Sequence, residues 1–239
     1  MQFRYSTGTN EPTDFPWEAA IPVSPFWDSF SFKDAAAIIK TIPLEELEKY
    51  DLDTRYGSAT QPEKIAVTLD ILREKLQHEE SKYTPPAEFY TADHDAWSDI
   101  WLSIAYISMK LDRMDEAEEA YRMLVTKRED PNDLVPANNL CAFLVKNTNK
   151  YNEVKTLSAP CMEWLDKKLG RASPQAIGVR KNIAEAEWKQ GNRERAQELI
   201  AEIFECIDEL KGSRFAVYEE DEREYAQGWE ADLKKWQAE

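Results

Sequence analysis

The chain has 239 residues and a formal net charge of −16 at pH 7, and 32% of its residues are charged. An acidic surface of this kind disfavours nucleic acids and anionic membranes as partners, because proteins bind both through cationic side chains. High charge content combined with only 7 glycines favours helices over a loop-rich β fold. No apolar run reaches the length of a membrane span, and residues 1–10 lack the apolar core of a secretion signal.

The cysteines and short motifs predict a protein with no metal site and no cofactor. Cys141, Cys161 and Cys206 lie in apolar helical patterns and lack the C-x-x-C spacing of zinc or redox sites. An odd number of such cysteines is typical of buried thiols in a reducing compartment, so we expect a cytoplasmic location. The sequence contains neither a glycine-rich nucleotide loop nor a G-x-S-x-G nucleophile motif.

Residues 1–32 form a distinct segment in which four prolines are interspersed among eight aromatic residues. Prolines prevent a long helix, and so many aromatic side chains are costly to leave in water. We therefore expect an extended arm that contacts the helical body, with a disordered tail as the alternative.

Residues 33–92 are expected to form N-terminal helices. Two short helical patterns follow the arm, and a longer helix then begins at a capping-box sequence. In this sequence Thr60 and Glu63 can satisfy each other's backbone N–H groups. Apolar residues at helical spacing continue the helix to about residue 80.

Between residues 93 and 211, apolar residues recur at helical spacing in consecutive helix pairs. We expect Asp95 to cap the first of these helices and Ser173, which precedes a proline, to cap a later one. Residues 180–210 indicate a hairpin of two helices with a tight turn at Gly191. Such a hairpin cannot bury both apolar faces alone, so its neighbours are expected to stack against it.

Several short patterns in this region match a known repeat. The sequence DEAEEAYRMLV has small Ala117 and large Tyr121 at characteristic positions of a second helix. NNLCAFLV, and later a leucine followed by Gly170 and Pro174, match an N-N-L-A and an L-G-x-x-x-P pattern. Over about residues 95–211 these patterns resemble tetratricopeptide repeats, including the longer repeats of kinesin light chains.

The resemblance implies an all-α fold, a right-handed α-solenoid of antiparallel helix pairs. We expect one structural domain in which the arm, residues 1–32, precedes the N-terminal helices of 33–92 and the repeats of 93–211. Residues 212–239 are strongly charged but keep aromatic residues at helical spacing. They are expected to form a capping helix at the end of the array.

The first helices of tetratricopeptide arrays line a concave peptide-binding groove, and the resemblance implies the same arrangement here. Lys110, Lys146 and Lys189 occupy equivalent positions in three first helices and are expected to form a column. Lysines attract carboxylates and amides bond to peptide backbones, so the predicted function is that of an adaptor for an extended, acidic peptide or partner protein. The predicted groove residues are Lys110, Asn138, Asn139, Lys146, Lys181, Asn182, Lys189, Tyr106 and Trp188.

Simpler interpretations of the same residues stay open at this level. The lysines are also explained as solvated residues near helix ends, where the helix dipole favours them. The asparagines are also explained as partners of backbone groups between repeats. For the protein as a whole, a further functional possibility is a structural oligomer built through an exposed helical end.

An aromatic pocket is the main functional alternative. A pocket between the arm and the helical array would suit a small-molecule binder or an enzyme. We favour a non-enzymatic protein, because no second histidine lies near His94. The pocket candidates are Trp97, Trp101, Tyr106 and Trp188 as lining residues, with Asp93, His94 and Asp95 as acid–base candidates.

The arm also suggests an internal ligand. Trp17 and Trp27 each stand beside an acidic residue, and these stretches loosely resemble the tryptophan–acidic peptides that kinesin light chains bind. One hypothesis is that the arm occupies the groove. The alternative is that it packs elsewhere on the helical body.

Overall fold

The structure, a computed structural model, describes residues 21–84 and 88–236. Over these residues it contains helices, turns and loops and no strand, which confirms the predicted all-α class. Within the same part of the chain, no helix combines the length and apolarity needed to cross a bilayer. The α-helices are α1 (Phe32–Ile39), α2 (Leu44–Leu47), α3 (Leu52–Tyr56), α4 (Gln61–Ser81), α5 (Glu88–Ala92), α6 (His94–Lys110), α7 (Met114–Thr126), α8 (Val135–Asn147), α9 (Tyr151–Lys168), α10 (Pro174–Lys189), α11 (Arg193–Leu210) and α12 (Glu219–Lys235).

Two compact units make up the described part of the chain, residues 21–131 and 132–236. The first contains α1–α7 and the second contains α8–α12. The boundary, between Pro131 and Asn132, lies within the segment that resembles a repeat array. Each unit has a hydrophobic core of its own, as a compact packing unit requires.

In the first unit, α6 and α7 pack as an antiparallel pair, and α6 also contacts α1, α4 and α5. Leu69 and Leu72 of α4 and Trp97 of α6 are at most 1% exposed in the core. Helix α4 therefore buries the apolar stripe that its sequence predicts.

Residues 21–32, the described part of the predicted arm, pack against the helices of the first unit. Phe26 and Trp27 belong to its hydrophobic core, and the backbone N–H of Phe26 donates to Asp53 Oδ1 at 2.8 Å. Trp27 therefore packs against the helical body, which is the alternative to the hypothesis that the arm is an internal ligand. Residues 1–20, with the other tryptophan of that hypothesis, lie outside the described residues.

Two helices of the first unit begin with side-chain caps, and the cap of α6 differs from the predicted one. At α4 the backbone N–H of Thr60 donates to Glu63 Oε2 at 2.8 Å, as the capping box predicts. At α6 the carboxylate of Asp93 accepts from the N–H of Ala96 at 3.1 Å. The predicted cap at Asp95 is therefore wrong, because the helix already begins at the residue before it.

In the second unit, each helix from α8 to α11 packs against the next, and α12 packs against α11 and α10. Ser173 Oγ accepts from the N–H of Ala176 at 3.2 Å, so α10 begins with the predicted cap and proline. Gly170 and Gly191 have φ angles of +93° and +86°, a left-handed conformation that costs glycine little. Gly170 follows the end of α9, and Gly191 forms the turn between α10 and α11.

The core of the second unit lies where α10, α11 and α12 meet. Ala184 and Ala196 are fully buried, so the two helices of the predicted hairpin approach closely. Helix α12 is amphipathic, with Ala226 and Leu233 buried against this core and charged residues on its other faces.

Candidate functional site

Helices α8, α10 and α12 of the second unit enclose a groove with two adjoining cavities of about 220 and 600 Å³. Lys146, Tyr225 and Trp229 line both cavities. The groove also contains several of the predicted residues, because α8 and α10 are two of the first helices on which the prediction rests. The smaller cavity is completed by Asn138, Ala142, Pro174, Gly178, Lys181, Asn182, Glu185 and Glu222, and the larger one by Asp221, Glu224, Gly228 and Asp232.

The floor of the groove carries a buried ion pair between α10 and α12. Lys181 Nζ lies 2.9 Å from Glu222 Oε2, and only 7% of the Lys181 side chain is exposed. The same ammonium lies 4.3 Å from the centre of the Tyr225 ring, a cation–π distance. Burial lowers the pKa of Lys181, and the hydrogen bond and charge of Glu222 oppose this shift. Lys181 therefore anchors α12 and offers little charge to a ligand.

A second polar cluster closes one end of the groove. Glu185 accepts a hydrogen bond from the Trp229 indole at 3.0 Å and pairs with Lys189 at 2.8 Å. Lys189 Nζ also donates to the carbonyl of Val145 at 2.7 Å. Lys189 thus links α10 to α8, and neither it nor Trp188 lines the two cavities.

The predicted asparagines behave differently from one another. Asn182 Nδ2 lies 3.5 Å from Asn138 Oδ1, so the two amides face each other across α8 and α10 and both line the groove. Each amide keeps donor or acceptor capacity for a peptide backbone. Asn139, the neighbouring prediction, is half-buried and lines neither cavity.

Lys146 and Tyr225 are the most accessible groups of the groove. Lys146 is exposed, and its ammonium makes no ion pair or hydrogen bond with any residue that the structure describes. Tyr225 is 57% exposed, although tyrosine is a large aromatic residue. Trp229, one turn further along α12, is half-buried.

Two glycines leave parts of the groove without side chains. Gly178 lies inside α10 and Gly228 inside α12, and a Cβ atom built at either would meet nothing within 4 Å. Glycine in a helix interior lowers stability by about 1 kcal/mol relative to alanine. Since an alanine side chain would have room at both positions, packing within the described residues explains neither glycine. Our sequence reasoning missed both glycines, and the signal that could have found them is a glycine within an otherwise helical pattern.

In the first unit the predicted groove residues Lys110 and Tyr106 are engaged by α1. Tyr106 donates its hydroxyl to Asp34 Oδ1 at 2.7 Å, and Lys110 Nζ lies 3.1 Å from the same oxygen. Ser103, on the same face of α6, donates to the carbonyl of Ala37 at 2.8 Å. Polar groups on this face of α6 are therefore partnered by α1, although Lys110 stays exposed.

The residues of the alternative aromatic pocket are divided between the two cores. Trp97 is 1% exposed in the first core, whereas Trp188 belongs to the second, with the Arg193 guanidinium 4.1 Å from its ring centre. His94 Nε2 lies 3.2 Å from Ser98 Oγ. Among the described residues, no group of three or more His, Cys, Asp or Glu side chains is arranged to hold a metal ion.

Comparisons with known proteins found similarity to solved structures. No family model matches the sequence, and no curated protein matches it. Among solved structures, the chain is similar to the crystal structure of BtubC (BKLC) from P. vanneervenii. The identity is 15%, the match covers 87% of this chain and 92% of that chain, and the TM-score is 0.43. A likeness at this level carries no argument about function.

Proposed function

We propose that this protein is an interaction module whose groove between α8, α10 and α12 binds an extended segment of a partner protein. The observation that carries the proposal is the 57% exposure of Tyr225 at the mouth of the groove. Tyrosine supplies a large, rigid contact area at low entropic cost, which is why it is enriched in binding sites. A groove of this kind offers the partner both aromatic area and polar anchors.

The shape of the groove favours an extended segment over a compact ligand. Two open cavities adjoin along α12, and both include Lys146 at their common edge. The amides of Asn138 and Asn182 can bond to a peptide backbone, while Gly178 and Gly228 let that backbone approach closely. These features provide main-chain contacts that do not depend on the partner's side chains.

The acidic preference expected from the sequence would depend on Lys146. Lys181 and Lys189 already pair with Glu222 and Glu185, so an acidic segment would have to compete with carboxylates of the same chain. The single open ammonium still offers an anchor for one carboxylate or for backbone carbonyls. The groove proposal itself is independent of the sign of the partner's charge.

The proposal is tested by filling the groove without disturbing the fold. A Cβ atom at Gly178 would have open space, and Gly178 lines the smaller cavity, so we expect the side chain of Gly178→Phe to occupy that cavity. Gln175→Phe is the matched control, because Gln175 is exposed on the same helix and lines neither cavity. Peptides selected from a random library with the wild-type protein are titrated against both variants.

We expect Gly178→Phe to bind the selected peptides about tenfold or more weakly, and Gln175→Phe to bind them as the wild type does. Circular dichroism checks that both variants keep their helical content. Equal affinity of all three proteins would place the binding surface elsewhere and contradict the proposal. Failure to select any peptide would contradict it as well.

A further inference from the structure

We propose that the segment bound in this groove is cationic, and that an arginine or lysine of the partner binds against Tyr225 and Trp229 between carboxylates of α12. This inference rests on the proposed function and names the chemical class of its partner. It reverses the acidic preference expected from the sequence.

The larger cavity is predominantly acidic. Asp221 and Glu224 are exposed, and neither forms an ion pair with any residue in the described ranges. Within the described ranges Asp232 pairs with Lys235 alone, and both side chains are more than three-quarters exposed. Among the residues that the structure describes, Lys146 is the one cationic residue that lines this cavity. Asp221 and Glu224 therefore leave two carboxylates without a described ion-pair partner against the ammonium of Lys146, and this gives a negative local potential that attracts cations.

The aromatic residues add a second means of recognising a cation. Tyr225 and Trp229 are four residues apart and therefore lie on one face of α12. Tyr225 already contacts the ammonium of Lys181 at 4.3 Å, yet more than half of its surface is open. An arginine of the partner can stack on the remaining aromatic surface while carboxylates accept its N–H groups.

The charge of the whole chain acts in the same direction. A net charge of −16 repels an acidic segment and steers a basic one toward the protein. Gly228 lies on the same stripe of α12, and its missing side chain leaves room for the partner's backbone. Lys146 then has the role of bonding to backbone carbonyls of the partner.

The test compares three labelled octapeptides in which glycine alternates with arginine, glutamine or glutamate, by fluorescence anisotropy with the full-length protein. The charge variant is Asp221→Asn with Glu224→Gln, and the aromatic variant is Tyr225→Ala. Glu194→Gln with Glu198→Gln is the control, because it removes the same charge from exposed positions on α11 that line neither cavity.

We expect the arginine peptide to bind most tightly. Its affinity should fall about threefold to tenfold in the charge variant. It should fall about twofold to fivefold in Tyr225→Ala. The control should stay near the wild type. An equal loss in the control would show that net charge alone governs binding, and would overturn the assignment to α12.

The two proposals fail in different ways. If the glutamine or glutamate peptide binds more tightly than the arginine peptide, and Gly178→Phe blocks that binding, the groove stands and the cationic partner is wrong. If Gly178→Phe leaves every peptide's affinity unchanged, the groove itself is wrong.

Discussion

At the scale of single residues, Asp34 shows how the chain uses the face of α6. The carboxylate is 4% exposed, accepts hydrogen bonds from Ser31 and Tyr106, and pairs with Lys110. Burial by itself would raise the pKa of Asp34, but these three partners outweigh burial and hold the pKa below its ordinary value of 3.8. The negative form is therefore stabilised in the folded protein.

We predict that Asp34→Asn lowers the free energy of unfolding at pH 7 by about 1–3 kcal/mol, because it weakens a buried, charge-assisted network. Since the pKa of Asp34 is depressed on folding, its contribution is present above the unfolded pKa and is lost as pH falls through the folded pKa. The difference between wild type and variant should thus shrink below about pH 4. Urea unfolding at several pH values measures it.

The control for this prediction is Asp99→Asn. Asp99 pairs with Lys40 across the same two helices, but both side chains are at least one-third exposed. Its loss should cost about 0–1 kcal/mol. Equal effects of the two substitutions would show that burial of Asp34 adds nothing.

The glycines of the groove give a second prediction at this scale. Gly178→Ala and Gly228→Ala should each raise the free energy of unfolding by about 0.5–1 kcal/mol, because alanine restricts the unfolded chain and meets nothing in the folded one. Thermal and urea unfolding measure the change. A loss of stability would mean that each glycine serves the fold, and would weaken the argument that it serves a ligand.

Some of these features could be predicted from the sequence and others could not. The cap at Ser173 and the turn at Gly191 depend on residues a few positions apart, so local patterns predicted them. The partnership of Asp34 with Tyr106 joins residues 72 positions apart and depends on how α1 packs against α6. No periodic pattern contains that information, so the sequence did not predict Asp34 as the partner of Lys110 and Tyr106.

At the scale of helices, Arg180 joins α9, α10 and α11. Its guanidinium donates to both carboxylate oxygens of Asp166, at 2.9 and 2.8 Å, and to Glu202 at 2.9 Å. The side chain is only 4% exposed. Burial opposes the charged form, yet the two carboxylates raise the pKa of Arg180 above its ordinary value. The pairing is therefore part of how these helices pack.

We predict that Arg180→Ala lowers the free energy of unfolding by about 3–5 kcal/mol, because it leaves two carboxylates without their partner and opens a space in the packing. Arg171→Ala is the control, because Arg171 is 43% exposed and pairs more loosely with Glu205 and Glu209. Its effect should be about 0–1 kcal/mol. Chemical unfolding of both variants decides whether buried and exposed arginines differ as expected.

Helix α12 illustrates what amphipathic spacing can and cannot predict. Tyr225, Trp229 and Leu233 recur at helical spacing, which predicted the helix. Of these three, Leu233 is buried at 5% exposure, while Tyr225 is largely exposed to the groove. Spacing shows that these residues share a face, but the position of α10 and α8 beside that face decides which of them pack and which stay available.

At the scale of the whole molecule, charge is the dominant feature. A net charge of −16 on 239 residues should make the binding of a basic segment strongly dependent on ionic strength. Raising NaCl from 0.1 to 1 M shortens the screening distance from about 10 to about 3 Å. We predict that the affinity for the arginine–glycine peptide falls steadily over this range, as measured by fluorescence anisotropy. Affinity that does not change with salt would contradict an electrostatic contribution.

The organisation into two units limits what a repeat pattern could predict. The resemblance to tetratricopeptide repeats predicted consecutive helix pairs, and the second unit contains them from α8 to α11. It did not predict that α1 and α12 would each contact a first helix through acidic residues, Asp34 and Glu222. These contacts depend on segments outside the repeats, for which the family pattern carries no information.

Peptide binding in the groove is tested most directly by the indole resonances of the eight tryptophans in a nitrogen–proton correlation NMR spectrum. Trp229 lines the groove and bonds to Glu185, whereas Trp97 is 1% exposed in the core of the first unit. On titration with the arginine–glycine peptide, we expect a saturable shift of the Trp229 indole signal and none for Trp97. A bound peptide that leaves the Trp229 signal unmoved would contradict binding in the groove.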